Sequence, residues 1–177
     1  MKRYCLAIVA MVIILLAVAV KYNGGSPPQS PPVSGNAETV AATLPELPRQ
    51  VVQLELVSFY SGDAARRDIL RLHNSQFPLA DGIIGRYEHK ASEMTVWVSV
   101  SATEEEAAEL MDLMVTKMPA SPVFQEKTTF EAEGMEIYHV IGMGMDHYYY
   151  LDGLYVYWLA VMDESPQAIL KAFLAGH

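Results

Sequence analysis

The segment His139-Val140-Ile141-Gly142-Met143-Gly144-Met145-Asp146-His147 gathers more ligand chemistry than any other part of the chain. His139, Met143, Met145 and His147 are all odd-numbered, so one uninterrupted strand would turn all four toward the same side. Thioether sulfur and imidazole nitrogen together suit Cu(I), and an extracytoplasmic metal-handling protein is one reading of the chain. Gly142 and Gly144 argue the other way. A turn at these glycines scatters the four side chains, and Met111, Met114 and Met118 stand at helical core spacing.

A dense aromatic cluster follows directly. Tyr148, Tyr149 and Tyr150, with Tyr155, Tyr157 and Trp158, bracket Asp152-Gly153, a strong two-residue hairpin signal. Tyrosine offers large rigid area with a polar edge, so Tyr148, Tyr149, Tyr150, Tyr155 and Tyr157 are candidates for a partner-binding or glycan-binding surface. Cross-strand aromatic pairs also stabilise hairpins from within, and the same residues fit a packed core. Residues 154–161 are apolar on both faces. One face is therefore expected under helices, the other partly covered or used in binding.

Signs of catalysis are sparse. The chain has no Gly-x-Ser-x-Gly elbow, no His-Glu-x-x-His, no phosphate loop, and no cysteine outside the N-terminal apolar run. No cofactor is called for. His73, His89, His139, His147 and His177 are scattered, so a hydrolase would need a pocket holding a histidine hydrogen-bonded to a carboxylate.

The elements that must position these residues begin at residue 51. Residues 51–60 alternate as a strand, with Val52, Leu54 and Leu56 on one face. Ser61-Gly62-Asp63 stops it and opens a helix to about His73. Residues 83–89 and 94–100 predict a hairpin around Lys90-Ala91-Ser92-Glu93. Thr103 with Glu106 forms a capping box for a helix reaching about Met118, where Pro119 ends it. Strands follow at 124–131 and 136–143, then at 147–151 and 154–161. Ser165-Pro166 opens a last helix carrying Ile169, Leu170, Phe173 and Leu174. Hairpin-then-helix thus occurs twice, at 87–118 and 148–175, each with a tryptophan in its second strand (Trp97, Trp158). The fold class expected is α+β, two layers, an antiparallel sheet with helices on one face and a ββα pseudo-repeat.

Ahead of this domain, residues 4–20 carry no charge and follow Lys2 and Arg3. Seventeen residues are the lower limit for a bilayer span, and the basic flank favours a cytoplasmic N-terminus with the rest outside. Ala17-Val18-Ala19 fits a signal-peptidase site, so residues 1–21 are an anchor or a cleaved signal peptide. The Pro/Gly/Ser-rich stretch at 22–50 reads as a stalk, which favours the anchor, and the domain is placed at 51–177. Lys2, Arg3 and Lys21 flank the apolar run. The remaining 9 basic residues stand against 21 acidic ones, a net of −12. Such a surface repels phosphate backbones, so nucleic acid is not an expected partner. Cys5 is the one cysteine, so the domain has no disulfide.

From about Tyr87 onward, TVWVSVSATEEEAAELM followed by YYYLDGLYVYWLAVMDESPQAILKAFL resembles uncharacterised bacterial extracytoplasmic, membrane-anchored ββα-type domains. The closing hairpin and helix are similar to outer domains of anti-sigma-type regulators. The resemblance covers about half the chain. It implies an envelope location and a non-catalytic role. The first reading of the chain is a binding or interaction module displayed on a stalk, with an envelope protein or polymer as partner and the inner membrane reached through the N-terminal segment.

Overall fold

The computed structural model describes residues 44–73, 77–118 and 121–176. The elements are β1 (Gln50–Val51), β2 (Leu54–Ser61), α1 (Asp63–His73), β3 (Asp81–His89), β4 (Ser92–Val100), α2 (Glu104–Lys117), β5 (Phe124–Ala132), β6 (Met135–Gly142), β7 (Met145–Asp152), β8 (Tyr155–Met162) and α3 (Pro166–Leu174). The strands form one antiparallel sheet in the order β1-β2-β3-β4-β8-β7-β6-β5. The protein is an α+β fold. Every neighbouring pair is consecutive in sequence except β4 and β8 at the centre, which align Trp97 opposite Trp158.

Composition explains the order. β8 is buried on both faces from Val156 to Val161, as a central strand must be, while β5 exposes five successive residues, 125–129, as an edge strand can. One face carries Val96, Val98, Tyr148, Tyr150, Tyr157 and Leu159, packed against Ile169, Leu170, Phe173 and Leu174 of α3. The other carries Tyr149, Val156 and Trp158 beneath Leu110, Met111 and Met114 of α2, and Ile84 beneath Ala65 and Ile69 of α1. Helices α1 and α2 thus share one face, in keeping with the expected layering, and α3 covers the opposite one. Hairpin-then-helix does occur twice, but α2 and α3 leave toward opposite faces, so one rotation cannot superpose the two units. Near-continuous apolar runs in β4 and β8 allow this, since either face can accept a helix.

Local signals act as their chemistry dictates. Thr103 Oγ1 accepts from the Glu106 amide at 3.2 Å, and Glu106 Oε2 accepts from the Ala102 amide at 3.1 Å, which caps α2. Met143 and Gly144 both take positive φ, as a two-residue turn of primed type needs, and so β6 and β7 are separate strands. Val52 departs from expectation. It sits at φ 54° in the turn between β1 and β2 and is 52% exposed, leaving Leu54 and Leu56 to face inward.

The folded part reaches further toward the N-terminus than composition indicates. Leu44 and Leu47 pack on the core of the α3 face, the Tyr87 hydroxyl donates to the Pro48 carbonyl at 2.8 Å, and the Leu56 amide donates to the Arg49 carbonyl at 2.9 Å. Gly85 makes room for the Leu47 side chain, which a Cβ there would strike. The apolar segment at 4–20, Cys5 and most of the 22–50 stretch lie outside the described residues. Among the described residues no helix is long and apolar enough to cross a membrane.

Candidate functional site

The two residue sets singled out by type end up in different places. Of the aromatic hairpin, Tyr148, Tyr149, Tyr150 and Tyr157 are buried, and only Tyr155 is partly exposed. Tyr148, Tyr150 and Tyr157 enter the α3 face, with Tyr150 and Tyr157 stacked at 4.8 Å and Tyr157 edge-on to Phe173. Tyr149 enters the other face, stacked at 5.0 Å on Trp158 and at 5.2 Å on Tyr138. Burial raises the pKa of all four phenols, that of Tyr149 to about 12. The expected aromatic contact surface is therefore core. Sheet alternation sends these side chains to both faces, and helices lie over both.

The soft-ligand set is dispersed. His139 pairs across the ladder with Tyr148 and so points to the α3 face, while His147 pairs with Val140 and points to the α1/α2 face. Met143 occupies the turn, 40% exposed, and Met145 opens β7 opposite Gly142. The turn at Met143-Gly144 inserts two residues between strands running in opposite directions, and this breaks the odd-number rule. His147 is 1% exposed and fully engaged: its Nδ1 accepts from Trp158 Nε1–H and its Nε2–H donates to the Gly142 carbonyl, each at 3.1 Å. Burial holds its pKa down to about 4, so the ring is neutral, and its one lone pair, on Nδ1, is already taken by the Trp158 N–H. Among the described residues no group of three or more His, Cys, Asp or Glu is placed to hold a metal ion. His139, Met143, Met145 and His147, expected as a Cu(I) site, are not brought together.

A different constellation forms on the α3 face. His139 Nε2 meets Asp146 Oδ1 at 2.7 Å, and His139 Nδ1 meets Thr128 Oγ1 at 3.2 Å. With the Nε2 proton held toward the carboxylate, Nδ1 is free to accept from the Thr128 hydroxyl. The ring stacks on Tyr148 at 4.8 Å. Three adjacent strands, β5, β6 and β7, supply one residue each.

Asp146 also lines a cleft of about 580 Å³ at the end of the sheet, where the β1–β2, β3–β4 and β6–β7 turns meet the start of α3. Its polar lining is Gln53, Ser92, Asp146, Asp163, Glu164 and Ser165. Asp163 is held in place, accepting from the Ser165 amide at 2.7 Å and from Gln53 Nε2 at 3.1 Å. Hydrogen bonds from Ser92, Ser165 and Gln53 lower its pKa, with the Ser92 contact first. Glu164 and Ser165 are exposed at the rim. An adjoining hollow of about 540 Å³ shares Asp146, Glu164, Ser165 and Ala168 and ends at Lys171.

Thr128, Asp146, Asp163 and Glu164 were not among the residues marked by type and spacing. Thr128 lies 11 positions before His139, and the bulge between Gln125 and Thr128 hides the alternation that would have paired them. Asp146 stands inside the 139–147 segment, but its meeting with His139 depends on the register of the β6–β7 turn. No known family model matches the chain, and no curated protein matches it.

Proposed function

We propose that the chain is a non-catalytic binding module of the cell envelope, held outside the cytoplasm by residues 4–20, whose partner is an envelope protein or polymer. The observation that carries this reading is the acidic cleft. It brings carboxylates from β7 (Asp146) and from the β8–α3 connection (Asp163, Glu164) beside hydroxyl and amide groups, in a volume suited to one side chain or sugar-sized group. Such a lining favours an ammonium or guanidinium group rich in hydrogen-bond donors. Affinity capture from membranes with the tagged full-length protein tests it. Glu164→Gln should cut recovery of the partner about tenfold with unchanged thermal unfolding, about the cost of one charge-assisted contact. Unchanged recovery removes the cleft from the binding surface.

The chain Thr128–His139–Asp146 favours a second reading, a hydrolase, because hydroxyl, imidazole and carboxylate stand in relay order. A fluorophosphonate should then form an adduct on Thr128 Oγ1, fluoride leaving and the hydroxyl proton passing to His139, and His139→Ala should lose it. An unlabelled wild-type chain ends this reading.

A further inference from the structure

Charge and apolar exposure divide the domain along its sheet. Residues 44–90, which form β1, β2, α1 and β3, hold six acidic and six basic residues, including Arg49, Arg66, Arg67, Arg71 and Arg86. Residues 91–177 hold 14 acidic and three basic residues, a net of −11. At the outer edge of the neutral part, Val57, Phe59 and Tyr60 of β2 are 54%, 51% and 36% exposed. Val57 falls where the β2–β3 register shifts, which turns it out of the ladder. Tyr60 donates to Asp68 of α1 at 3.0 Å, tying the strand to the helix that carries Arg66, Arg67 and Arg71. Arg66 and Arg71 pair with Asp63 and Asp68, both exposed, while Arg67 makes no ion pair among the described residues. The chain also enters the domain beside this edge: Leu47 lies over Gly85, the ladder partner of Phe59.

We infer that the β2–α1 edge is a membrane-facing surface, resting Val57, Phe59 and Tyr60 at the headgroup level of the bilayer that holds residues 4–20, with Arg67 and Arg71 toward anionic lipid. The inference rests on the membrane tether read from the sequence. Phe59 lies on the α3 side of this edge strand, Tyr60 on the α1 side and Val57 in the bulge, so edge-on docking brings apolar groups on both sides of the strand to that interface, with the arginines of α1 toward phosphate. The rest of the domain, at −11, is repelled by the same surface and turns away, so one orientation is selected. The tether makes docking intramolecular, so an affinity too weak to hold a free domain is enough. It also leaves the carboxylates of the acidic cleft, on β7 and the β8–α3 connection, to the aqueous side.

The test uses the full chain with Cys5→Ser, carrying a polarity-sensitive fluorophore at Phe59→Cys or, at the far edge, at Glu131→Cys. It is placed in phosphatidylcholine vesicles with or without about 30% phosphatidylglycerol, a fraction that gives a negative surface potential. The Phe59 probe should shift to the blue and lose most of its access to an aqueous quencher only in the anionic vesicles, reversibly in high salt, while the Glu131 probe stays in water. Arg67→Glu with Arg71→Glu should lower the docked-to-free ratio on the order of tenfold or more. Equal water exposure at both sites, in protein that floats with the vesicles, overturns the proposal and leaves the tether standing. Shielding that follows protein concentration and not lipid charge means a second copy covers the edge, and also overturns it. Protein that floats with neither vesicle removes the tether and the proposal together.

Discussion

His139 and His147 stand eight residues apart on one hairpin, and their surroundings differ in almost every respect. His139 looks to the α3 face at the margin of the sheet, its side chain 13% exposed, between a hydroxyl and a carboxylate. His147 looks to the α1/α2 face, sealed between Phe124 and Trp158, with both nitrogens spent on hydrogen bonds. Residue type marks neither as functional. Strand parity and the depth of the covering layer decide which imidazole can do chemistry.

The largest loss is expected at Trp158. Its indole is 8% exposed, stacks on Tyr149 and supplies the hydrogen bond to His147. Trp158→Ala should cost about 3–5 kcal/mol of stability, measured by urea unfolding. A loss under 1 kcal/mol means that this face is loosely packed.

Acid should act on the sealed His147, and in the same direction on His73, whose pKa burial also lowers. With a folded pKa near 4 against an ordinary 6.5, His147 stays neutral in the native state while the unfolded chain takes up a proton. The contribution of His147 should be full above pH 6.5 and fall by roughly 3 kcal/mol as pH drops toward 4, levelling below that. His147→Phe should make this stretch of the profile shallower. It should also cost roughly 2–3 kcal/mol at pH 7, because the Gly142 carbonyl and the Trp158 N–H lose their partner. An identical pH slope in wild type and variant would contradict the assignment.

Tyr148 sharpens the contrast on the other face. Its hydroxyl is buried without a hydrogen-bond partner among the described residues. Tyr148→Phe removes an unsatisfied group and should leave the melting temperature unchanged or raise it, by up to about 1 kcal/mol in stability. A clear loss would reveal a partner for the hydroxyl. The smallest effect belongs to His139→Gln, a margin residue in a partly exposed pair, expected within about 1 kcal/mol of wild type.

Much of this was legible in the chain. The Asp152-Gly153 signal marks the β7–β8 hairpin, with the turn itself one residue later, at Gly153 and Leu154. Thr103 and Glu106 cap α2, and Ser165-Pro166 opens α3, because capping and turn formation involve neighbours within four residues. The continuous apolar run of β8 marks a strand buried on both faces.

What the tertiary structure alone decided is which strands meet and which face each helix covers. The central β4–β8 pairing joins residues about 60 positions apart, as Trp97 and Trp158 show, and no local pattern specifies it. Since β8 is apolar on both sides, its sequence is silent on whether α3 lies with α2 or against it, and so on whether Tyr148, Tyr149, Tyr150 and Tyr157 emerge or sink. The meeting of Thr128, His139 and Asp146 depends in turn on a bulge and on two turn registers. A shift of one residue in either register would send His139 to the opposite face and dissolve the constellation.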